Sequence, residues 1–196
     1  MNCLAELLPL FGFVFFGLFS PGPNVILITA SGARFGLRRS LPHLFGIVVG
    51  VGITASITGF GVGALLAAQP VLEMVLKVIA SGWIMWMAYR LWFANPASKR
   101  DRDRPFTFVE AVLFQWINPK VWAVALSATA YVAGMSAMRQ GMTLGATFAT
   151  LNFFVCTFWV TAGTLLAFLL TNALAWRIFM RVMAVALAGF SILVFL

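Results

Sequence analysis

Phe19-Ser20-Pro21-Gly22-Pro23-Asn24 breaks an apolar run that extends over residues 4–30. Pro21 and Pro23 lack a backbone N–H and clash with the preceding turn, and Gly22 between them relaxes the chain further. A helix crossing this stretch must kink or unwind, which leaves carbonyls of the preceding turn without partners. In hydrocarbon such groups are costly unless they are satisfied again or line a wet cavity. Ser20 and Asn24 flank the break, placed to supply hydrogen bonds or to face a solute, and Asn24 also stands where it can cap a renewed helix near Val25. Gln115-Trp116-Ile117-Asn118-Pro119-Lys120 repeats the device. Counted from Phe108, Lys120 lies roughly 18 Å into its apolar run, near the middle of a bilayer core about 30 Å thick. An intramembrane lysine is expensive and marks a functional site by default. Its expected acceptors are the carbonyls freed near Phe114 and Gln115, or a solute carboxylate. Packing kinks and a snorkelling lysine are the plain alternatives.

The rest of the chain supports a membrane setting for both breaks. Of its 196 residues 62% are hydrophobic and 9% charged, against about 25% charged in soluble domains. Six apolar runs, at residues 4–30, 44–67, 71–93, 108–131, 143–170 and 178–196, each read as a span. The expected fold is therefore an all-α integral membrane protein of six transmembrane helices, in one transport domain, 1–196. A five-span arrangement would follow if one terminal segment lay flat. The connections 1–2, 3–4 and 5–6 hold ten basic residues, among them Arg34, Arg38, Arg39, Arg90, Arg104, Arg177 and Arg181, whereas the opposite connections hold two, Lys77 and Arg139. That asymmetry predicts a cytoplasmic loop 96–105 and both termini in the periplasm. Three spans in each half, about 1–95 and 106–196, enter the membrane from opposite sides, so an inverted repeat with broken first and fourth helices is expected.

A net charge of +8 does not signal nucleic acid, because the basic residues sit in connections rather than along a soluble face. Their expected partner is lipid, and a chain of this size is suited to pairing with a second copy. Cys3 and Cys156 have no metal or disulfide spacing, and neither a metal nor a cofactor is expected. The first residues lack the positive charge of a cleavable leader, so the first helix is expected to be retained. Thr143, Thr147, Thr150, Thr157, Thr161, Thr164 and Thr171 share one helical face, as a polar wall or as close-packing residues, with Asn152 and Cys156 off that line. Gly46, Gly50, Thr54 and Thr58 form a small-residue ridge suited to packing. His43 reads as interfacial rather than as a proton carrier, Glu73 pairs with Lys77 at i,i+4, and Glu6 lies near a span end. Glu110 is the remaining candidate for proton coupling. One histidine and few acids leave no constellation for an integral-membrane enzyme; a non-transporting scaffold is the other alternative.

The first stretch, followed by Gly32, Gly36, Gly46 and Gly50, resembles the N-terminal signature of the lysine exporter (LysE/RhtB-type) family. The Asn118-Pro119-Lys120 stretch is similar to that family's second signature. The resemblance covers essentially the whole chain, although the family often has glycine shortly before the second motif, where this chain has Glu110-Ala111. Gln115 with Trp116 and Trp122 looks more like the cysteine/O-acetylserine-exporting branch than the lysine branch. The resemblance implies a bacterial inner-membrane exporter of amino acids or close derivatives, driven by the proton gradient. Its solute-binding residues would then be Ser20, Pro21, Gly22, Pro23, Asn24, Gln115, Asn118, Pro119 and Lys120, with an amino-acid-like solute as partner and no catalytic residue.

Overall fold

The computed structural model describes residues 7–20, 22–61, 69–93, 104–169 and 173–193, and these are predominantly helical, without a β-strand. Helix α1, Leu8–Phe19, ends where Ser20 turns extended, at ψ 145. Helix α2, Pro23–Gly59, starts with proline in its first turn, the one place where the missing N–H costs nothing. It is not one rod, since Gly36 inside it has φ 77 and ψ 167, a conformation open to glycine. Ser31 and Ser40 would stand about 13.5 Å apart along a straight helix, yet their hydroxyls are hydrogen-bonded at 2.9 Å. The chain therefore doubles back at Gly36 into two arms, residues 23–35 and 37–59. Helix α3 follows at Pro70–Trp92, then α4 at Phe108–Trp116 and α5 at Pro119–Ala128, which runs into a 3-10 turn, Thr129–Val132. Helices α6, Ala137–Leu169, and α7, Ala173–Leu193, complete the chain.

Helices α3, α4 with α5, α6 and α7 follow the last four apolar runs to within about six residues, the second arm of α2 overlaps the second run, and the first and fourth runs are each divided at their Pro–Asn stretch. Among the described residues two helices are long and apolar enough to cross a membrane by length and composition, Pro23–Gly59 and Ala137–Ala167. The second arm of α2 alone rises about 34 Å at 1.5 Å per residue, more than a bilayer core requires. Polarity is distributed inside out. Gln115, Asn118, Asn152 and His43 are buried, while Phe16, Val71, Met138, Leu165 and Ile192 point outward. An apolar exterior on this scale needs an apolar solvent or a partner.

Close helix packing explains the small residues. A Cβ on Gly32 would strike the Val160 carbonyl, and one on Gly163 would strike the Thr29 carbonyl, so α2 and α6 cross there backbone to backbone. The predicted ridge divides into two parts. Gly46 and Gly50 seat α4, where a Cβ would meet Ala111 Cβ at 2.6 Å and Gln115 Cγ at 2.6 Å respectively. Thr54 and Thr58 are buried and return their hydroxyls to the Gly50 and Thr54 carbonyls. Part of the threonine face on α6 does the same: Thr157 bonds the Phe153 carbonyl, and Thr164 bonds those of Val160 and Gly32. The bond from Thr164 to Gly32 on another helix fits the close-packing reading, whereas Thr157 bonds only within its own helix; Thr171 lies outside the described residues, as do Cys3, Glu6, the 96–103 part of the loop and the side chains of Glu73 and Lys77.

Candidate functional site

Both breaks meet at one place. Asn24, on the first turn of α2, and Gln115, on the last turn of α4, form a reciprocal amide pair. Asn24 Nδ2 donates to Gln115 Oε1 at 2.8 Å, and Gln115 Nε2 donates to Asn24 Oδ1 at 3.1 Å. Gln115 is fully buried, and its second N–H donates to the Ala111 carbonyl at 2.9 Å. Its position depends on Gly50, over whose missing side chain its Cγ lies. Asn118 Nδ2 reaches the same Oε1 at 3.4 Å. Asn118 is 1% exposed and its Oδ1 has no partner among the described residues, a costly arrangement for a buried acceptor.

Lys120 closes the arrangement from the other side. Its Nζ donates to the carbonyl of Ser20, a group that the first break sets free. The lysine stem lies across Gly22, where a Cβ would meet Lys120 Cδ at 2.6 Å and Nζ at 2.9 Å. Here the structure corrects the expected acceptors. The carbonyls of Phe114 and Gln115 are taken by the N–H groups of Ile117 and Asn118 at 3.2 Å each, in a tightened last turn. Lys120 is therefore left to the opposite break. Asn24 does not cap its helix either: Gly22 is the N-cap, and no side chain bonds there. The amide is committed to Gln115 instead. Ser20 bonds its own turn, Oγ to the Gly17 carbonyl at 2.9 Å, and stands exposed. Pro23 is buried and Pro119 half-buried as the first residues of the renewed helices, while Pro21 lies outside the described residues.

A cavity of about 410 Å³ is lined by neighbours of this cluster and by basic side chains. Its lining includes Leu27, one turn beyond Asn24, and Ile117, directly before Asn118, together with Arg34, Arg90, Arg104 and Glu110. Sequence reasoning did not find it, because its walls come from α2, α3, α4, α7 and the segment before α4. His43 lines it too, buried and stacked on Phe106 at 4.9 Å, so it belongs to the interior rather than to an interface. Glu110 serves the fold. It closes the capping box with Thr107 and pairs with Arg104 through two hydrogen bonds, at 2.9 and 3.1 Å. That pairing raises the Arg104 guanidinium further above its ordinary value.

Helices that break inside an apolar interior and face one another across buried amides and a cation resemble the discontinuous helices of membrane transporters. The chain belongs to the LysE type translocator family, whose profile matches residues 15–196. Its members are translocators, not enzymes. A cysteine/O-acetylserine efflux protein of Klebsiella pneumoniae is 32% identical over 109 residues, 56% of each chain. A leucine efflux protein of Enterobacter is 22% identical over 158 residues, 76% of this chain and 75% of the relative. An uncharacterized membrane protein of Vibrio cholerae is 26% identical over 55% of this chain and 56% of its own length. The first of these likenesses therefore spans little more than half of the relative. No solved structure matches the chain.

Proposed function

We propose that the chain exports a small amino acid or derivative across the bacterial inner membrane, binding it where the two Pro–Asn breaks meet. The carrying observation is the Asn24–Gln115–Asn118 cluster, bridged by Lys120 to the Ser20 carbonyl. A zwitterion presents one cation and one carboxylate. The unpartnered Asn118 Oδ1 suits the ammonium, and Lys120, together with the positive helix ends at Pro23 and Pro119, suits the carboxylate. Ser20, Gly22, Pro23, Asn24, Gln115, Asn118, Pro119 and Lys120 make up this site in the described residues, and Pro21 belongs to the same motif. The names of the relatives support cysteine, O-acetylserine or leucine as the solutes to test first.

A single domain, 1–196, of six spans built as two inverted halves, about 1–95 and 106–196, fits the packing. The α1 break faces the α4–α5 break, both arms of α2 pack on α6, and α3 packs on α7. Contacts between corresponding spans of the two halves are among these, beside others such as α2 on α4 and α1 on α6. In this reading the end carrying Arg34, Arg90 and Arg104 is cytoplasmic, both termini are periplasmic, and one half rocks against the other. Proton drive is carried over from the family resemblance; Glu110, held by Arg104 and Thr107, is poorly placed to supply it.

The test is counterflow of labelled amino acid in proteoliposomes. Lys120→Ala and Asn118→Ala are each expected to lower the rate by about 10- to 100-fold, the worth of a hydrogen bond to a charged group, with Lys120→Arg retaining part of it. Wild-type rates in both alanine variants, at normal insertion, would show that the breaks serve packing alone.

A further inference from the structure

Helix α6 supplies none of the residues of the break site, yet Trp159 stands at its edge. The indole lies 5.3 Å from the ring of Phe19, centroid to centroid, with 41° between the planes. Phe19 is the last residue of α1 and directly precedes Ser20, whose carbonyl receives Lys120. Phe19 also meets Phe15 at 5.4 Å and Phe158 at 5.3 Å, so the indole belongs to a cluster of rings packed at the first break. Its Nε1 is buried and has no hydrogen-bond partner among the described residues. A buried indole N–H ordinarily finds one, and a buried donor left unmet is costly. The threonines of α6 offer no such group. Trp159 stands two residues from Thr157, about 200° around the helix, and the hydroxyls of Thr157 and Thr164 are taken by backbone carbonyls.

An indole N–H donates and cannot accept, so the partner it suits is an oxygen acceptor. We propose that Trp159 is a solute-binding residue, whose Nε1–H donates to the α-carboxylate beside Lys120. This rests on the exporter reading above and adds α6 to its site. The ligand class is an amino acid with a free α-carboxylate, a group that leucine, cysteine and O-acetylserine share. The two donors do different work. Lys120 supplies a point charge on a flexible stem, whereas the indole supplies one N–H on a rigid plane held by Phe19, and so sets the orientation of the carboxylate.

The experiment uses full-length protein, assayed by leucine counterflow in phosphatidylcholine vesicles and by thermal unfolding in detergent with and without leucine. Trp159→Phe is expected to raise the KM for leucine by about tenfold or more, the loss of one hydrogen bond to a charged group. Inhibition by isoamylamine, which is leucine without its carboxylate, should stay within about twofold. The ligand-free variant should unfold no earlier than the wild type, since the unmet donor goes with the substitution, while the rise in unfolding temperature that leucine confers should shrink. Trp159→His keeps a ring N–H and should recover part of the affinity. Trp176→Phe is the control. It removes another buried indole N–H without a partner among the described residues, packed with Ala30, Ala33 and Met180, and should leave KM unchanged. A leucine KM within about twofold of wild type in Trp159→Phe would overturn the assignment. So would an equal loss of leucine and isoamylamine binding, or an equal defect in Trp176→Phe, because the indole would then serve packing alone. Each of these results would leave the exporter reading standing. Absence of counterflow with every amino acid in the wild type would reject the exporter reading first, and the role of Trp159 with it.

Discussion

Gln115→Leu is expected to abolish measurable export and to lower thermal stability, although leucine nearly matches glutamine in volume. The substitution removes the partner of Asn24 at both ends of its amide and the acceptor of Asn118. Each buried polar group left unsatisfied costs about 1–3 kcal/mol, and Asn118 already carries one such atom. The double variant Asn24→Leu/Gln115→Leu separates stability from function. With both partners apolar, the unmet amide of Asn24 disappears, so thermal unfolding should return part of the way toward wild type, whereas counterflow should stay lost. Unfolding temperatures and counterflow rates for the single and double variants make the check. Transport in the double variant at the wild-type rate would mean that the amides only hold the breaks together.

Gly163→Ala is the second large effect, and it acts on folding rather than on solute. The added methyl would fall inside the van der Waals radius of the Thr29 carbonyl and lie 3.1 Å from the Ala33 nitrogen. Both are backbone atoms of a packed helix, which cannot yield as a side chain can. Small-to-large changes in tight packing cost about 1–3 kcal/mol, and more where no side chain can move aside. The variant should accumulate poorly and elute as aggregate in detergent, and Gly32→Ala, opposite Val160, should behave in the same way. Gly82→Ala is the control, since nothing lies within 4 Å of its added carbon. Normal monodisperse accumulation of the Gly163 and Gly32 variants would contradict the close crossing of α2 and α6.

Much of the fold was legible because membrane helices announce themselves locally. Residues 108–131 are apolar, and Pro119 dictates a break wherever the chain is placed, so α4 and α5 could be read without knowing their neighbours. The small-residue ridge was legible for the same reason, since small residues at every fourth position, Gly46, Gly50, Thr54 and Thr58, mark a face for close helix contact. What the sequence hid was pairing at long range. Asn24 and Gln115 are far apart in the chain, and nothing local tells an Asn that caps a helix from one that reaches across to another. The acceptor of Lys120 was misread for a related reason: a 3-10 turn at Ile117 satisfied the nearby carbonyls and left the distant one at Ser20. The cavity is hidden more completely. Arg34 reads as a topology signal in a connection, yet it lines the same cavity as Arg90 of α3.

The bond from Lys120 to the Ser20 carbonyl has an electrical consequence. It places an elementary charge at the seam between the two halves, where rocking would displace α5 relative to α1. A charge carried through the full membrane field is worth about 2.3 kcal/mol per 100 mV, and through a tenth of it about 0.2 kcal/mol. A zwitterion carries no net charge of its own. In the exporter reading, voltage sensitivity of the access change therefore comes from the protein's own charges and from any coupled proton, and this lysine is one place where the field would take hold.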